Sequence, residues 1–212
     1  MDDIFVVGNS WSIPSDEAPI PAFDILGLNN RWENPGITLD AQAEYIINND
    51  LVNKFRVIWL IGHHHRADPR GNGDYLLPYH WGHGDVWGKL VQDLWFKKIT
   101  RQPWYWRINA LFLQAVLGTA NPDNLMLIPI YRPNVVDNEM IADNPCIWRY
   151  YLRDLVKRYP DGRGHMDQRG HNHFAPILAS EIYNRWKITL TPRGETQLRS
   201  DITRGLRRAP QE

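Results

Sequence analysis

The sequence has only one cysteine, Cys146, and therefore cannot form an internal disulfide bond. A chain without such cross-links fits a reducing compartment, or a core large enough to do without them. Charge of one sign is also missing, because 24 lysines and arginines balance 24 aspartates and glutamates. No net charge therefore attracts the chain to nucleic acid or to an anionic membrane, and we expect neither as a partner.

Long apolar runs and a targeting signal are absent as well. No run approaches the ~18 consecutive apolar residues that a membrane-spanning helix needs. The first residues, MDDIFVVGNS, are acidic and lead directly into an apolar run, without the basic segment and cleavage site of a secretory signal. We therefore expect a soluble protein of the cytoplasm.

The 212 residues, 43% hydrophobic and 23% charged, are enough for one sizeable core. Apolar runs predict strands at residues 4–7, 22–28, 55–61 and 125–131. Helices are predicted from residue 38 onward, over 85–117 in two pieces broken near Pro103, over 147–158 and over 172–186. This alternation predicts an α/β fold whose parallel sheet is covered on both faces, with one domain over residues 1–188. Residues 189–212 are predicted to be a C-terminal tail or an extra helix.

The first strand carries the most informative turn. Its apolar run stops at Gly8-Asn9-Ser10, and the carboxyl edge of a parallel sheet is where ligands bind. A serine at that edge is a candidate nucleophile if a base can reach it, and the base in turn needs a carboxylate to orient it. The loop before the last helix offers both groups, in Asp161 and His165.

These segments resemble the motif blocks of the SGNH (GDSL-type) hydrolases. The run 8–12, GNSWS, resembles the family's G-D-S-x-S block, with asparagine in place of aspartate. Gly36 resembles the single glycine of the second block. The run DGRGHMDQRGHNHFAPILA resembles the last block, in which an aspartate and a histidine precede a glycine-histidine pair that opens the C-terminal helix. The resemblance covers most of residues 4–186.

The resemblance implies a flavodoxin-like, three-layer α/β/α sandwich and an esterase active site. Ser10 would be the nucleophile, His165 the base and Asp161 the carboxylate that orients the imidazole. The oxyanion hole would use the backbone N–H groups of Ser10 and Gly36. His64 takes the place of the family's asparagine donor, a role that one N–H of a neutral imidazole can fill.

Two further features depart from the family. The spacing from Asp161 to His165 is one residue longer than the usual D-x-x-H, which leaves Asp167 as an alternative orienting carboxylate. Residues 11–21 contain three prolines and predict a loop where the family has a helix after its nucleophile.

The expected substrate is a small-molecule or glycan ester, such as an O-acetyl group on a sugar. Ten tryptophans, several of them between residues 81 and 106, fit stacking against sugar rings as well as core packing. No cofactor and no metal are expected, and the oligomeric state is open. The predicted substrate-binding residues are Trp11, His63, His65, Arg66 and Trp81.

Two other functions use the same residues differently. A non-catalytic SGNH-like module would bind a glycan or a structural partner through the aromatic cleft. A metal-dependent hydrolase would use the histidine-rich run that begins at His63, since imidazoles with Asp68 or Asp85 can hold a divalent ion. Neither H-E-x-x-H nor C-x-x-C occurs in the sequence.

Overall fold

The computed structural model describes residues 3–33, 39–61, 103–130, 143–150, 152–162 and 164–193. Its elements, in chain order, are β1 (Ile4–Gly8), α1 (Ala22–Ile25), β2 (Arg31–Glu33), α2 (Leu39–Asn48), α3 (Leu51–Lys54), β3 (Arg56–Leu60), α4 (Pro103–Thr119), a 3₁₀ turn (Pro122–Asn124), β4 (Leu125–Ile128), α5 (Leu152–Arg158) and α6 (Gln168–Trp186). None of these helices is long and apolar enough to cross a membrane.

The four strands form a parallel sheet in the order β2-β1-β3-β4. Every residue of β4 and nearly every residue of β1 and β3 is buried, as expected for strands covered on both faces. The prediction of an α/β fold with a parallel sheet is thus confirmed. The order is that of the first four strands of a flavodoxin-like sheet, in which ligands bind between the carboxyl ends of β1 and β3.

Contacts divide the chain into two units. Unit 1 comprises Met1–Ser10 and Asn30–Arg153, and unit 2 comprises Trp11–Asn29 and Asp154–Glu212. The sheet belongs to unit 1, where side chains such as Val7, Trp59 and Leu127 pack with apolar residues of α2 and α4. A single domain over residues 1–188 stays a prediction.

The predicted second strand is wrong. Residues 22–28 form α1 and a turn that Gly27 closes in the left-handed region, at φ +69°. Most positions of this run are apolar, so its hydrophobic residues show no periodicity that would distinguish a strand from a short buried helix. The observed β2 lies between residue 28 and the helix predicted from residue 38, where no strand was predicted, and its three half-buried residues pair with β1 at the edge of the sheet.

Other bounds differ in detail. The predicted helix at 147–158 is helical only over α5, because Ile147 bridges to Leu127 along the outer edge of β4. Strand β4 lies at the end of the strand order and stops directly before Pro129, whose ring nitrogen cannot donate a ladder hydrogen bond. Helix α4 begins at Pro103, as predicted, while residues 85–102 lie outside the described residues.

The part of the C-terminal tail that the structure describes is neither helix nor strand and is bound to the rest of unit 2. After α6 ends, Leu190 is buried and the backbone N–H of Arg193 donates to the carbonyl of Ile25 at 2.8 Å. Residues 194–212 lie outside the described residues, so whether they form a further helix stays a prediction.

Candidate active site

Ser10 lies in the turn that follows β1, in unit 1. Asn9, directly before it, is fully buried, and its Nδ2 lies 3.4 Å from the carbonyl oxygens of both Leu60 and Ile61, at the end of β3. An amide donates these bonds where an ionised aspartate would place oxygen against oxygen. The asparagine that departs from the family block thereby ties the Ser10 turn to the neighbouring strand.

The loop that carries His165 is a tight turn within unit 2. Pro160 and Met166 form an antiparallel bridge, and the N–H of Asp161 donates to the carbonyl of His165 at 3.1 Å. The backbone N–H of Asp167 donates to the carbonyl of Tyr159 at 2.9 Å. Backbone bonds therefore close the loop on itself and fix the point from which the imidazole projects.

The Asp161 carboxylate contacts His165 at two groups, the backbone N–H and the imidazole. Its Oδ1 accepts the backbone N–H of His165 at 2.8 Å, and its Oδ2 lies 3.5 Å from the imidazole Nδ1. The side chain of Asp161 is 2% exposed, whereas that of His165 is 32% exposed. A buried carboxylate behind a partly exposed imidazole is the arrangement that orients a general base.

The rival carboxylate, Asp167, is engaged elsewhere. It is the N-cap of α6, where Oδ1 accepts the N–H of Gly170 at 3.1 Å and Oδ2 lies 2.6 Å from a guanidinium nitrogen of Arg169. Burial raises the pKa of Asp167, but the hydrogen bonds from Arg169 and Gly170 outweigh burial and lower it overall. Of the two carboxylates, Asp161 is the one that lies at Nδ1 of His165.

Trp11 packs against the candidate base. Its ring centroid lies 5.3 Å from that of His165 in an edge-to-face arrangement with an interplanar angle of 63°. Only 2% of the Trp11 surface is exposed. The indole thus forms a wall beside the imidazole, while contact of Trp11 with a substrate stays a prediction.

Residues 11–21 contain no helix, as predicted, and the segment is held by hydrogen bonds instead. The Gln168 carboxamide accepts the N–H of Ile20 at 3.0 Å and donates to its carbonyl at 2.8 Å. The backbone N–H of Gln168 donates to the carbonyl of Glu17 at 3.0 Å. The first residue of α6 therefore anchors the segment that follows Ser10 in the chain.

His171 adds a further anchor. It is 3% exposed, and its Nδ1 accepts the backbone N–H of Ala22 at 3.3 Å. Burial, followed by the nearby His165, lowers the pKa of His171 to about 4, although Asp167 and Asp161 act in the opposite direction. The imidazole is therefore neutral at physiological pH, as an Nδ1 acceptor must be.

The structure brings together Asp161, His165 and Trp11, all in unit 2, and places Ser10 in unit 1. The remaining predicted site residues lie outside the described residues, and their roles stay predictions. These are Gly36 and His64 for the oxyanion hole and His63, His65, Arg66 and Trp81 for substrate binding.

Sequence reasoning missed two glutamines, Gln42 and Gln168. Gln42 is fully buried on α2, in the helical register of the apolar residues Leu39, Ala43 and Ile46. A glutamine in the middle of an apolar helix face is a sequence feature that could have indicated a buried polar contact. No sequence feature marks Gln168, because its hydrogen-bond partners lie at the other end of the chain.

A metal site is not found among the residues that the structure describes: nowhere do three histidine, cysteine, aspartate or glutamate side chains come together. The run from His63 to His83 lies outside those residues. The metal-dependent alternative therefore stays a hypothesis.

Comparison of the chain with protein-family models, with curated proteins and with solved structures finds no match.

Proposed function

We propose that the protein is a serine esterase with a three-layer α/β/α fold like that of the SGNH hydrolases, and that it cleaves an O-acyl ester through an acyl-enzyme on Ser10. The observation that carries the proposal is the Asp161–His165 pair, in which a buried carboxylate lies 3.5 Å from Nδ1 of a partly exposed imidazole. Hydrogen bonds to catalytic bases are often long in the absence of substrate.

The chemistry follows from that pair. With Nδ1 on the Asp161 side, Nε2 of His165 is the nitrogen that takes the proton of Ser10 as Oγ attacks the acyl carbon. The ester C–O bond breaks and the alcohol leaves with the proton from His165. Water then attacks the acyl carbon while His165 takes its proton, and the bond from the acyl carbon to Ser10 Oγ breaks as His165 returns the proton to Oγ, which releases the acid and free Ser10.

The surroundings support this assignment of roles. Ser10 follows β1 at the sheet edge where parallel folds of this strand order bind ligands. Trp11, its neighbour in the chain, packs edge-to-face on His165 and keeps water from one side of the imidazole. The oxyanion would be bound by the backbone N–H groups of Ser10 and Gly36 and by His64, each pre-aimed donor contributing roughly 3–4 kcal/mol to transition-state binding.

A fluorophosphonate probe tests the proposal, because it reacts only with an activated serine. We expect the wild type to be labelled and Ser10→Ala and His165→Ala to be folded but unlabelled. Ser180→Ala and His173→Gln are matched controls, since both residues are exposed on α6 and should leave labelling unchanged. A folded wild type that is not labelled would refute the proposal.

Two further outcomes point to the alternatives. Ester hydrolysis that survives Ser10→Ala and is lost on chelation would favour the metal-dependent hydrolase. Binding of an acetylated glycan without turnover would favour a binding module. The acyl group and the alcohol are then identified by screening p-nitrophenyl esters and acetylated sugars with the active protein.

A further inference from the structure

A buried polar network joins the carboxyl ends of β1 and β3, within unit 1. The Gln42 carboxamide on α2 donates through Nε2 to the carbonyl of Gly8 at 3.1 Å and to that of Leu60 at 2.9 Å. The indole N–H of Trp59 donates to Gln42 Oε1 at 3.0 Å. The Gln42 side chain thus binds the last residue of β1 and the last residue of β3, and the Trp59 indole fixes the orientation of its carboxamide.

The amide orientation is set by its partners. Both oxygens near Nε2 are backbone carbonyls, which only accept, and the indole near Oε1 only donates. If the carboxamide were flipped, Oε1 would face the two carbonyl oxygens and Nε2 would face the indole N–H. Since burying an amide without partners is costly, this side chain has one favourable conformation.

The network lies beside the Ser10 turn. Leu60 O accepts from both Gln42 and Asn9, and Asn9 is the residue before Ser10. Gly8, whose carbonyl Gln42 binds, is the residue before Asn9. Gln42 therefore restrains the ends of both strands, and Ser10 follows two residues after the end of β1.

We infer that Gln42 is a positioning residue for the Ser10 turn. The inference rests on the proposed function for its kinetic consequence, but the restraint on the turn can be measured without any activity. Because Gln42 acts through the backbone of Gly8 and Leu60, removing it should alter the rate of the acylation step rather than the affinity for substrate.

Gln42→Met removes the amide and keeps the length of the side chain. Ile46→Val is the matched control, because Ile46 is fully buried on the same face of α2 and has no polar contact to lose. Amide hydrogen exchange should accelerate in Gln42→Met at residues 8–10 and 60–61 and stay at the wild-type rate there in Ile46→Val. Fluorophosphonate labelling of Ser10 should fall roughly ten- to hundredfold in Gln42→Met only.

Gln42→Glu provides an independent readout. An introduced carboxylate would face two carbonyl oxygens, so burial and repulsion raise its pKa. Its protonated form restores one donor. The labelling rate of Gln42→Glu relative to wild type should therefore rise as the pH falls from about 8 to about 6, whereas the ratio for Ile46→Val stays flat.

The outcomes separate the two proposals. A folded Gln42→Met protein with wild-type exchange at residues 8–10 and wild-type labelling overturns the positioning inference. If Gln42→Met does not fold, a flat pH ratio for Gln42→Glu overturns it. A wild type that is never labelled refutes the serine esterase, and hydrogen exchange alone then decides whether Gln42 holds the turn.

Discussion

Acidification should destabilise the protein through one buried imidazole, His171. In the folded state its pKa is lowered from 6.5 to about 4, first by burial and then by the nearby His165. Protonation would also place an N–H at Nδ1, where the Ala22 N–H now donates. Between these two pKa values the unfolded chain binds a proton that the folded protein excludes. The free energy of unfolding therefore decreases as the pH decreases.

The magnitude follows from the two pKa values. At 1.36 kcal/mol for each pH unit between 6.5 and about 4, the full contribution of His171 is about 3 kcal/mol. It is present above pH 6.5 and is lost progressively as the pH falls toward about 4. Between about pH 7.5 and about pH 5, the linkage relation gives a loss of about 2 kcal/mol from this group.

Urea unfolding of the wild type and of His171→Asn at these two pH values measures the effect. Asparagine can place an oxygen near the position of Nδ1 and does not titrate, so groups common to both proteins cancel in the comparison. The wild type should lose about 2 kcal/mol more than the variant on acidification. Equal losses in the two proteins would refute the reasoning.

A direct titration covers the case in which the variant does not fold. Histidine-selective NMR of the wild type should show one imidazole that stays neutral down to about pH 5. A His171 resonance that titrates near 6.5 would contradict the buried, neutral imidazole.

Three further predictions concern the start of α6. Gly170→Ala should destabilise by roughly 1–3 kcal/mol in chemical denaturation, because its Cβ would lie 2.7 Å from that of Met166, a backbone-fixed atom that cannot swing away. Asp167→Ala should cost about 1 kcal/mol in the same assay through loss of the N-cap bond to Gly170. Gln168→Leu should cost roughly 1–3 kcal/mol and increase proteolysis within residues 11–21, because both backbone groups of Ile20 lose their partner.

Matched changes separate these effects from general loss of helix. Gly118→Ala, in α4, adds a Cβ with nothing within 4 Å and should leave stability unchanged or raise it by up to about 1 kcal/mol. Asp167→Asn retains an N-capping oxygen and should recover most of the loss in Asp167→Ala. If Gly170→Ala is as stable as Gly118→Ala, the close packing at Met166 does not constrain the loop.

Much of the sheet could be predicted because its strands are continuous apolar runs. Strands β3 and β4 lie inside predicted strands and β1 exceeds its prediction by one residue, since burial on both faces leaves a signal in four or five consecutive residues. Strand β2 gave no such signal. Its sequence, Arg-Trp-Glu, is half-buried and pairs because β1 offers an edge, which is a property of the fold and not of the segment.

Part of the candidate site could likewise be predicted from the sequence, and part could not. A carboxylate beside His165 could be predicted because Asp161 and Asp167 lie on the same short loop, but their spacing did not decide between them, and Asp161 is the one that lies at Nδ1. Ser10 could be proposed because a glycine-containing turn ends an apolar run. The anchors of residues 11–29 could not, because Gln168 and His171 bind backbone groups 148 and 149 positions away in sequence.

The same separation has a consequence for how the chain folds during its synthesis. Residues 11–29 leave the ribosome early, but the side chains that anchor them, Gln168 and His171, follow only about 150 residues later. At ~5–20 residues per second the delay is roughly 7–30 s. During that time the apolar residues of α1 are made without their partners on α6 and are open to chaperones. Slow elongation, or a stall before residue 168, should therefore raise chaperone dependence and aggregation of this chain.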